Sequence, residues 1–169
     1  MTDYLIPGQE VLARHHNFKL VGRGAEMKKL ASILVRQKSN SVLLTGPGGV
    51  GCTSLILGLQ RMKTDINAPF DIVAKRFLWL DVDALFASGK AEVISAAFQK
   101  AMDRLSATPD SVLVIEDSGD FLEACRNNGT THFINALTSA TREGKTQVIL
   151  EVSDHALDRV LKWHSDIQE

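Results

Sequence analysis

The run Val42-Leu43-Leu44-Thr45-Gly46-Pro47-Gly48-Gly49-Val50-Gly51-Cys52-Thr53-Ser54 constrains this chain more than any other feature. An apolar stretch suited to a buried strand enters a glycine-rich turn. A segment then follows with Leu55, Ile56 and Leu59 on one helical face. Strand, glycine loop and helix in that order are the context in which a phosphate-loop match carries meaning. Glycines let backbone N–H groups converge on phosphate oxygens, and the helix N-terminus adds partial positive charge. Gly46 and Gly51 stand at the two fixed glycine positions, and Thr53 stands where a hydroxyl holds Mg²⁺. The candidate nucleotide-binding residues are therefore Gly46, Pro47, Gly48, Gly49, Val50, Gly51, Cys52, Thr53 and Ser54.

One part of the pattern is missing. Cys52 stands where a lysine would reach the β- and γ-phosphates, and a neutral thiol supplies no positive charge. A charge-assisted hydrogen bond is worth roughly 1.5–3 kcal/mol, so its loss weakens binding by about one to two orders of magnitude. Two other readings stand beside this one. The turn can serve only to pack a helix tightly on the sheet, or Cys52 can be a nucleophile at a helix N-terminus, although no histidine lies near it in sequence to act as base.

A second candidate group follows the apolar run Val112-Leu113-Val114-Ile115. Glu116-Asp117 stands where an Asp for the Mg²⁺ shell and a Glu to activate water are expected, in reversed order. Successive strand residues point to opposite sides, so the two carboxylates are not interchangeable. Asp117 is also one methylene, about 1.5 Å, shorter than Glu. Glu116 is the candidate metal ligand together with Thr53. Glu116 and Asp117 are the candidate catalytic acids, and a solvated acidic pair at a strand end is the plain alternative.

The rest of the chain fits one α/β domain. Four apolar runs read as strands (41–45, 76–81, 111–116 and 146–152), separated by segments of helical period (25–37, 53–62, 91–105, 131–141 and 154–163). This alternation predicts a mostly parallel sheet in a three-layer αβα sandwich, with the site at the C-terminal ends of the strands. Residues 1–19 read as a lead-in, 63–71 as a connection and 126–129 as a break. The chain has 169 residues, 44% of them hydrophobic and 23% charged, which suits one folded core. Lys and Arg number 19 against 20 Asp and Glu. That balance excludes a general positive field for nucleic acid. Two cysteines, Cys52 and Cys125, make no disulfide framework or metal spacing. No apolar run reaches the roughly 18 residues of a membrane span, so a cytoplasmic protein is expected.

These residues resemble the first nucleotide-binding module of Clp-type AAA+ unfoldases and disaggregases. Val21-Gly22-Arg23-Gly24-Ala25-Glu26-Met27 is similar to that module's entry motif, and residues 40–59 to its first strand, phosphate loop and helix. Leu80-Asp81-Val82-Asp83-Ala84-Leu85 is similar to its second strand, residues 111–117 to its Walker B strand, and residues 147–153 to its sensor strand. The resemblance runs from about residue 20 to about residue 165. It implies an AAA+ core over 20–169, ATP or ADP with Mg²⁺ as cofactors, Arg23 near the adenine or a neighbouring loop, and Ser153 as the polar sensor. It further implies assembly with AAA+ ring subunits or other protein partners.

The chain departs from the family pattern at several places besides Cys52 and the acidic pair. Lys90 is followed by Ala91 where Tyr is usual in the pore loop. Ser165-Asp166 offers no guanidinium where an arginine finger is expected, and the helical lid is not in the sequence. The expected function is a degenerate nucleotide-binding module with weak or absent hydrolysis. A nucleotide-free scaffold, and an active ATPase with a substitute cation, are the alternatives. His15-His16 reads as a solvated turn and Phe77 and Trp79 as core. Cys125 reads as a structural thiol, and Arg36, Lys38, Arg61 and Lys63 as favourable charges at helix ends.

Overall fold

Apolar runs flanked by amphipathic helices force a layered solution, because each sheet face must be covered. The structure, a computed structural model, describes residues 4–15, 24–38, 40–46, 52–63 and 70–168. Its strands are β1 (Leu5–Pro7), β2 (Val42–Gly46), β3 (Arg76–Leu80), β4 (Ser111–Ile115) and β5 (Gln147–Ser153). Among the described residues they form one sheet in the order β1-β3-β4-β5-β2, parallel throughout except for β1. The four strands expected from the apolar runs all occur, with ends shifted by one residue. The third stops at Ile115, so Glu116 lies just beyond it.

Side-chain alternation divides the core in two. Phe77, Trp79, Val112, Val114 and Ile149 face one side. There α1 (Gly8–Arg14), α2 (Gly24–Leu34), α3 (Cys52–Met62) and α4 (Phe70–Val73) supply Val11, Leu30, Leu34, Leu55, Ile56, Leu59 and Ile72. Leu78, Leu80, Leu113, Ile115, Val148, Leu150 and Val152 face the other side. That side is covered by α5 (Val82–Phe86), α6 (Ala91–Ala107), α7 (Ser118–Asn127), α8 (His132–Arg142) and α9 (Leu157–Gln168). Aromatic packing is dense here: Phe98 stacks on Phe133 at 3.8 Å and Phe121 on Trp163 at 5.8 Å between ring centres. The three-layer α/β sandwich is therefore as expected. Phe77 and Trp79 lie in the core, and Cys125 is fully buried with its thiol pushed up to about 12 by burial, which leaves it inert.

The lead-in takes part in the sheet. Leu5, Ile6 and Pro7 pair antiparallel with Leu80, Trp79 and Leu78, so β1 covers the edge of β3. The Arg104 guanidinium donates to the Leu5 carbonyl at 3.2 Å. Gln60, buried near the end of α3, fastens the following helix. Its amide donates to the Gly8 carbonyl at 2.8 Å, while its carbonyl accepts from the Trp79 indole at 2.7 Å. A Cβ at Gly8 would lie 2.8 Å from Gln60 Oε1, so only glycine permits this approach. Replacing Gln60 by Leu leaves a buried carbonyl and an indole N–H unpaired, at about 1–3 kcal/mol each. Calorimetry of Gln60→Leu should show a melting temperature lower by roughly 5–15 °C, whereas an unchanged value would mean that α1 is not clamped in this way.

Candidate nucleotide site at the C-terminal strand ends

The sheet order brings the candidate residues to one edge. Strand β5 lies between β2, which leads into the glycine loop, and β4, which leads into the acidic pair. Gly46 ends β2 beside Ser153 of β5, and Cys52 and Thr53 open α3. Ser54 is half-buried on the same first turn. Pro47, Gly48, Gly49, Val50, Gly51 and Arg23 lie outside the described residues, as does His16. Of Cys52, only its place as the first residue of α3 is described.

A residue absent from the sequence reading dominates this edge. Glu151, on β5, is only 5% exposed. It shares its face with Ile149, towards α3, and sits beside Leu44 in the ladder. The Thr53 hydroxyl donates to its carboxylate, 3.1 Å from each oxygen. The hydroxyl expected to hold Mg²⁺ is thus engaged by a carboxylate from the neighbouring strand, and that carboxylate is Glu151 rather than Glu116. Burial pushes the Glu151 carboxyl up to about 7. The Thr53 bond opposes the shift, and the nearby charges of Glu116 and Asp117 add to it. Ser118 Oγ fixes the same strand position by donating to the Glu151 backbone carbonyl at 2.9 Å. The signal in the sequence is one acid inside the apolar run Val148-Ile149-Leu150-Glu151-Val152, which is buried throughout.

Glu116 and Asp117 are separated as the alternation predicts. Val112 and Val114 face α3, and Glu116 continues that face, within electrostatic reach of Glu151. Its carboxyl is raised by burial first and by Asp117 next, while His15 lowers it. Asp117 instead caps α7, accepting from the Asp120 amide at 3.3 Å. Asp120 is raised in turn, chiefly by its hydrogen bond with Asp117. Ser153 is half-buried at the end of β5, with its hydroxyl 3.2 Å from Nδ1 of His155, and Thr45 Oγ1 donates to Asp154 at 3.3 Å.

A cleft of about 430 Å³ opens beside Glu116, with Val11, Trp79 and Leu80 in its walls and Asp81, Asp83, Asp117 and Asp120 around it. Arg14 and His15, at the end of α1, also line it. His15 is exposed, as expected of a solvated turn, but the structure places it beside a candidate site residue. Lys90 and Ala91 are exposed where α6 begins, Ala91 being its first helical residue. Ser165 and Asp166 are exposed on α9.

Comparison with known proteins gives the arrangement a family. No protein-family model matches the chain. The chain is 32% identical over 133 residues to the chaperone protein ClpB of Yersinia enterocolitica, covering 77% of this chain and 15% of that protein. It is 29% identical over 131 residues to a ClpA homolog, an ATP-dependent Clp protease ATP-binding subunit, of Cyanidium caldarium, again covering 77% and 15%. To the ClpE subunit of Streptococcus pneumoniae it is 27% identical over 151 residues, covering 88% and 20%. The chain is a Clp-type AAA+ module. It spans only 15–20% of the length of these relatives.

Solved structures agree on the module's fold. A closed-state Hsp104 with ATPyS and FITC casein superposes with a TM-score of 0.78 at 21% identity, covering 98% of this chain and 28% of that one. A Saccharomyces cerevisiae Hsp104-ADP complex gives 0.75 at 23% identity, covering 94% and 22%. Among the described residues of the module, no helix is long and apolar enough to cross a membrane.

Burial of Glu151 makes stability depend on pH. The folded carboxyl holds its proton up to about pH 7 and the unfolded one only to about 4.5, so the native state binds more protons between them and stability falls as pH rises. The full loss above that window is about 3 kcal/mol. Denaturant midpoints measured from about pH 5 to pH 8 should fall in the natural protein and stay nearly level in Glu151→Gln. Parallel curves would show that Glu151 is not the group responsible.

Proposed function

We infer that the module is a degenerate AAA+ nucleotide-binding unit. It holds ATP or ADP weakly as the Mg²⁺ complex, hydrolyses it slowly or not at all, and acts in the cytoplasm through assembly with AAA+ or other protein partners. One observation carries this reading: Thr53, the hydroxyl of the phosphate-loop helix, is engaged by the buried carboxylate of Glu151. The departure at Cys52 and the presence of Glu151 act in the same direction, one removing a cation and the other adding an anion where phosphate charge must be neutralised.

The residues present suit a hard divalent cation better than they suit phosphate. Thr53 and Glu116 are the oxygen donors that would hold it, and Glu151, which engages Thr53 and feels the charge of Glu116, competes for that hydroxyl. Mg²⁺, when bound, would supply positive charge to neutralise the phosphates. The chain's own work is then to release Thr53 from Glu151 and to turn Glu116 towards the cation. Asp117 is occupied as the cap of α7 and on the opposite face, which supports slow hydrolysis, since misplacement by about 1 Å can cost a hundredfold in rate. Arg14 supplies positive charge beside Glu116, with His15 next to it, two strands away from β2.

Titration calorimetry with ATP and ADP tests this reading directly. Binding should be weak with Mg²⁺ and weaker still without it, and Cys52→Lys or Glu151→Gln should each raise affinity about tenfold. Phosphate release should stay far below about 1 per second. Tight binding that needs no Mg²⁺, or turnover at ordinary ATPase rates, would contradict it.

A further inference from the structure

The two lateral edges of the sheet are treated differently. On one side β1 covers β3, and β1 is itself a poor template for further pairing, a short strand that ends in Pro7. On the other side β2 is the last strand, paired only with β5. Each residue carries a backbone donor and acceptor, and in a strand these turn to one side and then the other, so part of the β2 backbone faces away from β5. Among the described residues, no hydrogen bond reaches the main chain of Val42, Leu43, Leu44 or Thr45 from that side. The run Val42-Leu43-Leu44-Thr45-Gly46 also lacks the usual guards of an open edge, a charged side chain or a proline.

An apolar row runs beside this edge. Val160, Trp163 and Ile167 anchor α9 in the core, and α9 packs on both β5 and β2. His164 Nε2 lies 3.3 Å from the carbonyl of Ser41, just before β2, which turns that side of α9 towards the edge. Leu157, Leu161 and His164 are spaced by four and three residues and so share that side. Leu161 is 49% exposed, more than any other large hydrophobic side chain among the described residues. An unguarded strand and a bare leucine therefore lie next to each other on the same flank.

We propose that β2 pairs antiparallel with β2 of a second copy, about a two-fold axis normal to the sheet, so that one sheet runs through both copies. Neighbouring strands lie about 4.8 Å apart, so a helix seated over β2 and β5 comes within about 10 Å of its two-fold mate, the spacing at which helices pack. The two α9 helices then share one face and cover each other's Leu161. On the other face the Gln147 amide of β5 donates to the Leu34 carbonyl at 2.9 Å, so the end of α2 also lies over the pair of strands. This favours a second copy over an added strand from another protein, because a lone strand would satisfy the β2 backbone and leave Leu161 bare. The contact joins the same surface on both copies and closes at two. It leaves the strand ends and the candidate nucleotide site of each copy open, so its failure would not touch the nucleotide measurements.

Sedimentation of the nucleotide-free chain from about 5 to about 500 µM tests it. One short strand and one apolar row make a small interface, so a monomer–dimer equilibrium with a dissociation constant on the order of 10–100 µM is expected, with no species beyond the dimer. Leu161→Lys, at an exposed position, should weaken the dimer at least tenfold and leave the melting temperature of the dilute protein unchanged. Amide hydrogen exchange on the unaltered chain gives an independent readout. The β2 amides should exchange more slowly as rising concentration converts monomer to dimer, and those of β1 at the opposite edge should not. A monomer at the highest concentration, or growth past the dimer, would overturn the proposal. So would a dimer whose strength Leu161→Lys leaves unaltered, or one whose formation leaves exchange in β2 unaltered.

Discussion

A carboxylate folded into the middle of a parallel sheet is costly, and Glu151 is such a group. Its main chain is paired within the ladder, and its side chain faces the helix that follows the glycine loop. Removing a carboxylate from water favours the neutral form, and the nearest anions, Glu116 and Asp117, push in the same direction. The single favourable contact among the described residues is the Thr53 hydroxyl. In a phosphate site the strand-end edge collects positive charge. Here the edge collects negative charge, and the hydroxyl that would face a cation is already held by an acid.

The rest of the module makes that edge rigid. Ser118 pins the Glu151 carbonyl, and Asp117 starts α7. Gly119 brings α7 so close to the turn after β5 that a Cβ there would lie 2.6 Å from that of Ala156. On the other face, Gln60 ties the far end of α3 to β3 and to the lead-in, so the helix that carries Thr53 is fixed at both ends. Rigid elements at both ends leave Glu151 little room to swing away from Thr53, and closely packed interiors transmit such constraints rather than absorbing them.

Much of this architecture was legible in the residues. The four parallel strands stand out because strands buried on both faces are continuous apolar runs, and the long helices because their stripes are regular. The short elements were not legible. Strand β1 has three residues and α5 five, too few for any period, and α7 is polar enough to read as a loop. The place of Asp117 after a strand suits both a catalytic acid and a helix cap, and sequence alone does not separate the two. Glu151 is inconspicuous in the sequence because a single charge inside an apolar run disappears in a pattern judged by its average. Its meaning depends on Thr53, 98 residues earlier in the chain. His15 became relevant only when α1 carried it to the cleft beside Glu116.

The account depends on Glu151 being a buried acid held against Thr53, and carboxyl carbon resonances followed through a pH titration measure this most directly. Burial pushes the Glu151 carboxyl up to about 7, and its midpoint should rise further in a Thr53→Val variant, which removes the hydrogen bond that opposes the shift. A midpoint near the ordinary carboxylate value of 4.5 in the natural protein would contradict the account, because it would mean that the side chain is solvated and Thr53 is free.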